Sequence, residues 1–321
     1  MALRDDVLFE LLMNRESFVS GAALAGRLHV SRTAVWKVIE SLKAEGAEIS
    51  SVSNRGYKLA EIPELFCAPY MASLLKGSRI PWNVLWYPSL GSTNDTAKSL
   101  AAHGAPEGTA VIADMQTGGK GRLGKSFHSP KGSLYISAVL RPDLPLSDMM
   151  AVTACSAAAV HEALAKYGIS AQIKWVNDLF LNGRKMTGIL SEGSFNAELL
   201  QMDYLVIGIG VNLCPDPNLP DELKPIVTDV LTETGQRIPR FELAAGILRE
   251  LEVLMEYIHE RTFLPIYTEH SMTIGRRVQV QGKDGVFIGT AVGYASDAGL
   301  IVAHDDGTQE TIRTGSAVFV E

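Results

Sequence analysis

Seven short apolar segments, each the length of a β-strand, follow one another through the middle of the chain with few helices between them. They are residues 84–87, 110–114, 134–140, 172–175, 179–181, 189–192 and 205–211. In and after this region, helices are predicted at 94–102, 149–166 and 241–261. A doubly wound parallel sheet needs a crossover helix after nearly every strand, and this chain does not supply them. The pattern therefore predicts a mixed sheet backed by helices.

Both ends of the chain differ from this middle region. From Thr273 onward, short β runs alternate with turns at 282–285, 297–299 and 305–307, which is typical of a small β-barrel. A proline-containing linker, residues 61–69, follows the N-terminal part. We therefore predict an α+β protein of three domains, with boundaries at 1–62, 63–272 and 273–321.

The N-terminal domain has the pattern of a winged helix-turn-helix. Ser20 and Ser31 are the predicted N-caps of two successive helices. The second helix repeats apolar residues at helical spacing, which predicts one buried face and one polar face. The predicted buried positions are Val35, Ile39 and Leu42. A hairpin over 49–59 follows as the wing, and in this motif the second helix enters the major groove of DNA.

The distribution of charged residues limits where such a domain can contact DNA. The chain carries 29 Lys and Arg against 36 Asp and Glu, a net charge of −7, so any contact with nucleic acid has to be local. Residues 27–39 contain no acid, which leaves Arg27 and the polar helix face available to phosphates and bases. The predicted DNA-binding residues are Ser31, Arg32, Thr33, Trp36, Lys37 and Arg55. The alternative is a protein-docking module whose basic residues form a solvated face.

Composition argues against a secreted, membrane-spanning or zinc-binding protein. Residues 1–15 mix charges with apolar residues, unlike a secretory signal, and no apolar stretch approaches the roughly 18 residues of a membrane helix. We therefore expect a cytoplasmic protein without a membrane partner. The three cysteines and seven histidines lack the spacing of a disulfide framework or a zinc site. Any metal is expected to arrive with a ligand.

The glycine-rich segment Gly119–Lys125 matches the string G-x-G-x-x-G of dinucleotide-binding proteins. That fingerprint opens a helix, whereas here another predicted strand follows at Leu134, so the segment is a loop between two strands. Glycines let backbone N–H groups approach an anion, and Lys120, Arg122 and Lys125 add three cations. The loop suits a phosphate chain, although a solvated basic turn would have the same composition.

Two further stretches, Lys174–Asp178 and Gly183–Leu190, are predicted to form consecutive turns around a short strand. Together with Ser92–Asn94, the glycine-rich loop and Gly208–Asn212, they make nearly the entire chain similar to the biotin protein ligase family. The family's loop ends in G-R-G-R-x-G-[RK]. Its K-W-P-N-D-[LI] and G-[RK]-K-[LV]-[AG]-G-I-L motifs correspond to residues 174–190, and its G-[IL]-G-[IL]-N to residues 208–212. The winged helix and the small barrel resemble the bifunctional members, which are both ligase and repressor of biotin genes.

The resemblance implies a class II synthetase-like biotin ligase fold for the central domain and an SH3-like barrel behind it. It also implies a two-step reaction that uses ATP and Mg²⁺. Biotin and ATP form biotinoyl-5′-AMP and pyrophosphate, and the biotinoyl group then passes to a lysine of a biotin carboxyl carrier protein. In the bifunctional members, the adenylate-bound homodimer binds operator DNA and represses transcription.

Site residues are carried over at the positions that match the family motifs. The implied biotin-binding residues are Ser92, Thr93, Asn94, Gln116, Lys120, Gly121, Arg122, Lys185 and Gly188. The implied ATP- or adenylate-binding residues are Gly119, Lys120, Arg122, Lys125, Lys174, Asn177, Asp178 and Asn212. Lys185 and Arg122 are the implied catalytic residues, because a carboxylate that attacks the α-phosphorus brings two anions together and fixed cations offset their repulsion. Asp178 is the implied Mg²⁺ ligand, since Mg²⁺ needs one or two protein oxygens beside phosphates and waters.

Other roles remain open for some of these residues. By residue type alone, Asp178 fits a turn cap, Asn212 a strand-end hydrogen bond, and Ser92–Asn94 the cap of a helix. Lys120 stands where the family usually has Arg, a point charge in place of a planar fork, so weaker nucleotide affinity is expected. Val176 replaces the usual Pro, which leaves the position of Asn177 and Asp178 less fixed.

The sequence predicts an ATP-dependent biotin ligase that also represses transcription. Residues 214–225, which contain four prolines, are either a lid over the adenylate or a static connection. One alternative is a lipoate ligase or octanoyl transferase, whose catalytic fold is related. The other is a transcriptional regulator that senses biotin without ligating it.

Overall fold

The chain forms two compact units. The computed structural model describes residues 3–145, 148–196, 201–283 and 285–320. One unit comprises Met1–Gly77 and Pro239–Ala245, and the other comprises Ser78–Ile238 and Gly246–Glu321. Within the described residues, no helix has both the length and the apolar character needed to cross a bilayer.

The first unit holds the winged helix-turn-helix predicted for the N-terminus. Its elements are α1 (Leu3–Met13), α2 (Gly21–Arg27), α3 (Arg32–Ala44), β1 (Ile49–Val52), β2 (Gly56–Leu59) and α4 (Ala68–Leu74). Both predicted N-caps are confirmed, because the Ser20 and Ser31 hydroxyls accept the N–H groups of Ala23 and Ala34 at 3.0 and 3.1 Å. The predicted buried face of α3 is confirmed as well, since Val35, Ile39 and Leu42 are fully buried. β1 and β2 pair antiparallel as the predicted wing.

Helix α4 corrects the predicted linker, which is wrong from Ala68 onward. Pro69 lies in the first turn of α4, where its missing N–H would have no intrahelical partner. Cys67 precedes the helix and packs, almost fully buried, in the same apolar core as α1 and α3. The proline-containing composition therefore does not reveal this short helix, which is stabilised by the core of the unit.

The second unit is built on a seven-stranded mixed sheet, as predicted. Its strands are β3 (Asn83–Tyr87), β4 (Thr109–Ala113), β5 (Leu134–Leu140), β6 (Gln172–Lys174), β7 (Asp178–Leu181), β8 (Arg184–Asn196) and β9 (Gln201–Val211). Their order is β3-β4-β5-β9-β8-β7-β6, with β3 and β4 parallel and the other neighbours antiparallel. The helices along this stretch are α5 (Thr93–Ala102), α6 (Met149–Ala165), α7 (Val230–Thr234), α8 (Arg240–Glu256) and α9 (Phe263–Glu269). Helix α5 packs against β4, β5 and β9, and α6 packs against β6, β7 and β8.

Strand β8 corrects another expectation from the sequence. The sequence places Gly183–Leu190 in a turn, whereas the chain is already in β8 at Arg184. The turn shrinks to Asn182 and Gly183, whose φ angles of 49° and 79° are the left-handed pair that a two-residue hairpin turn requires. Two of the residues expected in that turn, Lys185 and Gly188, therefore lie on a strand.

The predicted helix over 241–261 is also shorter than expected. Helix α8 ends at Glu256, and α9 begins separately at Phe263. Arg261, within the predicted range, has a φ of 57°, and a residue in the left-handed region does not continue an α-helix. The predicted helix is therefore correct only as far as Glu256.

A small antiparallel sheet ends the chain, in agreement with the predicted barrel. Its strands are β10 (Arg277–Gly282), β11 (Gly285–Tyr294), β12 (Leu300–Ala303), β13 (Gln309–Ile312) and β14 (Val318–Phe319), in the order β13-β12-β11-β10-β14. Alternate residues such as Val278, Val280 and Val302 are buried inside it. Asp284, in the first predicted turn, lies outside the described residues.

Candidate active site and nucleic-acid interface

A row of glycines forms the floor of a cavity of about 190 Å³ on the central sheet. Gly188 on β8 pairs with Gly210 on β9, and Gly208 lies two residues away from Gly210 on the same strand. A Cβ atom at Gly208 would lie 2.0 Å from Asn94 Oδ1, and one at Gly210 would lie 2.5 Å from the ring of Phe127. The glycines of the G-x-G-x-N motif therefore leave space for two side chains that lie directly on the sheet.

Asn94 closes one end of this cavity with a fixed amide. Its Nδ2 donates to the Glu192 carboxylate at 2.8 Å and to the Leu190 carbonyl at 3.2 Å. Its Oδ1 accepts from the Ser137 hydroxyl at 2.6 Å. Asn94 is 4 % exposed, and the partners of Nδ2 determine which way round the amide lies. A ligand that enters from the cavity thus meets an oxygen with one remaining lone pair.

Thr93 and Gln116 extend the polar end of the cavity. Gln116 Oε1 accepts from the Thr93 backbone N–H at 2.8 Å and from its hydroxyl at 3.0 Å. Gln116 Nε2 donates to the Ser129 hydroxyl at 2.9 Å. Ser92 is the N-cap of α5 and accepts from the Asp95 N–H, so the cap role and a place in the cavity lining coexist.

The glycine-rich loop covers the cavity and joins β4 to β5, as predicted. Gly119, the first residue of the loop, lies against the chain at Phe127, where a Cβ atom would be 2.3 Å from the Phe127 carbonyl oxygen. The Arg122 guanidinium donates to Asn177 Oδ1 at 3.2 Å and to the Gly315 carbonyl of the small barrel at 3.1 Å. Burial lowers the pKa of Arg122 from its usual value, against the opposing effect of Asp178. Lys120 pairs instead with a carboxylate on α5.

Lys185 projects from the start of β8 into the cavity and meets Asp178. Its Nζ lies 2.7 Å from Asp178 Oδ1, an ion pair that lacks the directed geometry of a hydrogen bond. The register between β7 and β8 shifts so that Met186 has no partner on β7, while Lys185 stays opposite Phe180. The Lys185 N–H donates to the Ile226 carbonyl, and its carbonyl accepts from the Thr228 N–H. The bulge therefore places the ammonium beside the carboxylate that opens β7.

The small barrel and α9 hold the turn that carries Asn177 and Asp178. The Trp175 indole N–H donates to the Ala298 carbonyl at 3.0 Å, and its backbone N–H donates to the Thr273 hydroxyl at 3.0 Å. The Tyr267 hydroxyl donates to the Val176 carbonyl at 3.0 Å. Asn177 Nδ2 donates to the Ile189 carbonyl at 2.6 Å. The turn is thus fixed by buried contacts even though Val replaces the family's usual Pro.

A second cavity of about 450 Å³ adjoins the first. Lys185 and Phe127 line both cavities, so the Phe127 ring lies between them. Residues 214–219 and 223–229, which include part of the predicted lid, form much of the wall. Asn212 lines this cavity and donates from Nδ2 to the Thr228 carbonyl at 3.0 Å, which ties the end of β9 to that wall.

The structure brings most of the implied site residues together. Those that line the first cavity are Ser92, Thr93, Asn94, Gln116, Lys120, Gly121, Arg122, Lys125, Asn177, Asp178, Lys185 and Gly188. Lys174 lines neither cavity, and its ammonium lies over the ring of Phe319, 4.5 Å from the centroid. Burial lowers the pKa of Lys174, against the opposing effect of Asp178.

The residues of the site that sequence reasoning missed include Phe127, Ser137 and Glu192, together with Gly315 and Ser316 of the C-terminal part. Phe127 is the aromatic residue just after the glycine-rich loop, a position that a close look at the loop's end would have singled out. Ser137 and Glu192 lie within predicted strands, and no local pattern distinguishes them. Only the strand register that sets Ser137 beside Gly208 shows their role.

The donor set fits Mg²⁺ only as a companion of a nucleotide. In the described part of the chain, no three His, Cys, Asp or Glu side chains cluster as a metal site. Asp178 supplies one carboxylate, next to the Lys185 ammonium. A Mg²⁺ ion that is bound to phosphates needs only one or two oxygen ligands from the protein. The residues therefore fit a metal that enters with phosphates, and they do not fit a resident one.

The first unit presents the polar face of α3 next to the wing. Trp36 is 52 % exposed, and Arg32, Thr33 and Lys37 are exposed beside it. Arg55 at the wing lies with its guanidinium 4.4 Å from the centroid of the Phe18 ring. The exposed face of α3 and the wing thus carry polar and basic side chains, and DNA binding by these residues stays a prediction.

Arg27 corrects one expectation about this surface. The sequence leaves it available to phosphates, whereas its guanidinium pairs with Glu10 of α1 at 2.6 Å. The acid that neutralises it lies outside the acid-free stretch 27–39, so local sequence does not reveal the pairing.

The chain matches two known protein families, which together define its class. Residues 86–212 match the Biotin/lipoate A/B protein ligase family, and residues 4–58 match an HTH domain family. The sheet, the cavity and the N-terminal unit are therefore those of a protein ligase of the biotin/lipoate class with a helix-turn-helix domain. The biotin protein ligase of Aquifex aeolicus, solved with biotin and ATP, superposes with a TM-score of 0.63 at 27% identity, over 74% of this chain and 98% of that one.

Similarity over nearly the full length of the chain identifies the family within this class. The bifunctional ligase/repressor BirA of Bacillus subtilis is 35% identical over 96% of each chain. The bifunctional ligase/repressor BirA of Escherichia coli is 29% identical over 93% of this chain and 92% of the relative. The chain belongs to the bifunctional ligase/repressor family.

Proposed function

We propose that the protein activates biotin with ATP to biotinoyl-5′-AMP and transfers the biotinoyl group to a lysine of a biotin carboxyl carrier protein. One observation carries this assignment. A single cavity has the neutral amides and hydroxyls of Thr93, Asn94 and Gln116 at one end, and two cations, Arg122 and Lys185, beside Asn177 and Asp178 at the other. A ligand with a urea-like head and a carboxylate tail matches both ends.

The polar end suits the ureido ring of biotin. Thr93 Oγ1 and Asn94 Oδ1 supply acceptors for its N–H groups, and the network through Ser137 and Glu192 fixes their orientation in advance. The glycine floor suits the flat bicyclic body, because it keeps Cβ atoms away from the sheet surface. Preorganised polar groups of this kind bind without paying the entropy of ordering.

The cationic end suits the joining of two anions. In the first step, a biotin carboxylate oxygen attacks the α-phosphorus of ATP, and the bond to pyrophosphate breaks. Lys185 and Arg122 offset the charge that gathers between the two groups, and Lys185 leaves its ion pair with Asp178 to do so. The second cavity, behind Phe127, has room for the nucleoside. Mg²⁺ bound with the phosphates would add charge neutralisation, with Asp178 as its protein ligand.

In the second step, the amine of the carrier lysine attacks the acyl carbon, and AMP leaves with the electron pair of the broken bond. The neutral amine is the nucleophile, so the carrier lysine loses its ammonium proton to solvent before attack, and the nitrogen loses a second proton as the amide forms. Arg122 and Lys185 again lie where negative charge develops on the leaving phosphate.

Biotin-dependent exchange of pyrophosphate into ATP tests the proposal. We expect exchange with biotin and not with lipoate or octanoate. Lys185→Ala should reduce it by two orders of magnitude or more, the usual effect of removing one preorganised charge from a transition state. Lys166→Ala removes an exposed ion pair with Glu250 elsewhere in the same unit and should leave the rate unchanged. Exchange with lipoate alone would assign the other ligase class, and full activity in Lys185→Ala would remove Lys185 from the chemistry.

We further propose that the adenylate-bound protein dimerises and represses transcription through the N-terminal unit. The exposed face of α3 and the basic wing support DNA binding, and a two-fold dimer would present two such surfaces to a palindromic site. Gel-shift assays with and without biotin and ATP test this. Equal DNA binding in both conditions would contradict the corepressor role, and adenylate-dependent DNA binding without any carrier biotinylation would favour a sensor that does not ligate.

A further inference from the structure

Glu192 on β8 is joined to the polar end of the cavity through the Asn94 amide. Gly188 and Leu190, which line the cavity, precede it at alternate positions of the strand, so all three lie on the same face of the sheet. The two oxygens of the Glu192 carboxylate have different partners. Oε2 accepts from Asn94 Nδ2 at 2.8 Å, and Oε1 accepts from the Lys98 ammonium at 2.7 Å.

Both partners of this carboxylate come from one side of α5. Asn94 and Lys98 are four residues apart, so their side chains are neighbours on the helix surface. The Lys98 ammonium also lies 3.3 Å from Asp95 Oδ1. Burial acts to lower the pKa of Lys98, but hydrogen bonds to Glu192 and Asp95 outweigh it and raise the pKa, so the ammonium stays charged near neutral pH.

The carboxylate fixes which end of the Asn94 amide faces it. A carboxylate accepts hydrogen bonds and donates none, so Asn94 turns Nδ2 toward Glu192 and its oxygen away. The Leu190 carbonyl favours the same orientation, because it accepts from Nδ2 at 3.2 Å. The Asn94 amide therefore offers the cavity an acceptor, and the ligand has to bring the donor.

We propose that Glu192 is a positioning residue that sets the specificity of the cavity: by orienting the Asn94 amide, it selects a ligand head that carries an N–H group at that point. The proposal rests on the proposed function, because it concerns how the cavity distinguishes the ureido ring of biotin from similar rings. A ring with oxygen in place of that N–H would set two acceptors against each other and leave both unpaired. The reacting carboxylate lies at the other end of the ligand, so the rate of the chemical step does not depend on Glu192.

Glu192→Gln tests the proposal, because Lys98 determines which way the new amide turns. An ammonium has donors alone, so it draws the oxygen of the new amide and leaves the NH₂ group facing Asn94 Nδ2. Titration calorimetry compares biotin with its two cyclic carbamate analogues, each with oxygen in place of one ureido N–H. For one of the two, we expect the preference of the parent protein for biotin to fall about tenfold or more in Glu192→Gln. In a Lys98→Met background the new amide can turn its oxygen to Asn94, so the preference should recover at least in part.

Two further measurements separate orientation of the amide from general damage. In pyrophosphate exchange, Glu192→Gln should raise the KM for biotin about tenfold with kcat unchanged. Glu250→Gln changes a carboxylate that pairs with Lys166 elsewhere in the same unit, and it should alter neither constant.

The ¹⁵N NMR signal of the Asn94 side-chain amide reports its hydrogen-bond partner independently of activity. It should move in Glu192→Gln and return toward the parent position when Lys98→Met is added. An unchanged ligand preference in Glu192→Gln, or an Asn94 signal that does not move, would overturn the inference. Absence of exchange in the parent protein would refute the proposed function, while the Asn94 signal would still decide whether Glu192 orients the amide.

Discussion

At the scale of single residues, the site depends on glycines, because each one leaves space that a Cβ atom would fill. Gly208 lies on a central strand with Asn94 directly above it, so its lack of a Cβ is a steric requirement and not a matter of backbone freedom. The sequence shows the G-x-G-x-N string, but it does not show which side chain fills the space over each glycine. That depends on the register of β5, β8 and β9, which no local pattern contains.

Gly208→Ala tests this requirement. The added methyl would lie 2.0 Å from Asn94 Oδ1, so the amide has to move away from Glu192 and Ser137. We expect the KM for biotin to rise at least tenfold and the free energy of unfolding to fall by about 1–3 kcal/mol, the usual cost of overpacking. Gly293→Ala is the matched control, because this strand glycine of β11 has nothing within 4 Å of the new methyl. Unchanged kinetics in Gly208→Ala would show that the position of the Asn94 amide does not matter for biotin.

At the scale of elements, the sequence predicts helices and strands best where periodicity is strong and turns are short. The polar and buried faces of α3 and the full extent of β5 are confirmed. The start of β8 was wrong, because the turn needs two left-handed residues and the sequence around Gly183 offered a longer polar run. Elements fixed by tertiary contacts could not be predicted in the same way. The turn at Trp175, for example, is held by a hydrogen bond to the Ala298 carbonyl, more than a hundred positions later in the chain.

The contact of the Trp175 turn with Thr273 gives a prediction at this scale. Thr273→Val keeps the shape of the side chain but removes the acceptor of a buried N–H, which typically costs about 1–3 kcal/mol. We expect the free energy of unfolding from urea titration to fall by that amount. Pyrophosphate exchange should fall as well, because Asn177 and Asp178 follow the displaced backbone. Thr273→Ser keeps the hydroxyl and should retain both properties more closely, and equal behaviour of the two variants would rule out the hydrogen bond as the cause.

Helix α3 carries a second prediction at the scale of elements. Arg32 is exposed in the first turn of α3 and has no acid near it in sequence. If it contacts a phosphate, Arg32→Ala should weaken binding of all DNA sequences alike and lower the slope of log K against log salt by about one. Lys43→Ala, in the last turn of the same helix and paired with Glu40, should leave both unchanged. A loss confined to one operator sequence would indicate a base contact in place of a phosphate contact.

At the scale of the whole molecule, the negative net charge means that general electrostatic attraction to DNA cannot by itself give tight binding. With −7 overall, the chain gains little from non-specific attraction to phosphates, so we expect one winged helix to bind DNA weakly and the two of the proposed dimer to bind it far better. A ligand controls this only if it binds the dimer more tightly than the monomer, since equal affinities shift no equilibrium. The adenylate is the candidate, because its formation requires the residues of the covering loop.

This coupling predicts a behaviour that separates catalysis from regulation. Sedimentation of the parent protein should show more dimer with biotin and ATP together than with either alone. Lys185→Ala, which is expected to form little adenylate, should stay monomeric under the same conditions. A non-hydrolysable analogue of the adenylate should restore its dimer and its DNA binding at least in part, because by linkage the ligand needs only to be bound. A Lys185→Ala protein that dimerises fully with biotin and ATP would show that the unreacted ligands suffice for assembly and that adenylate formation is not the signal.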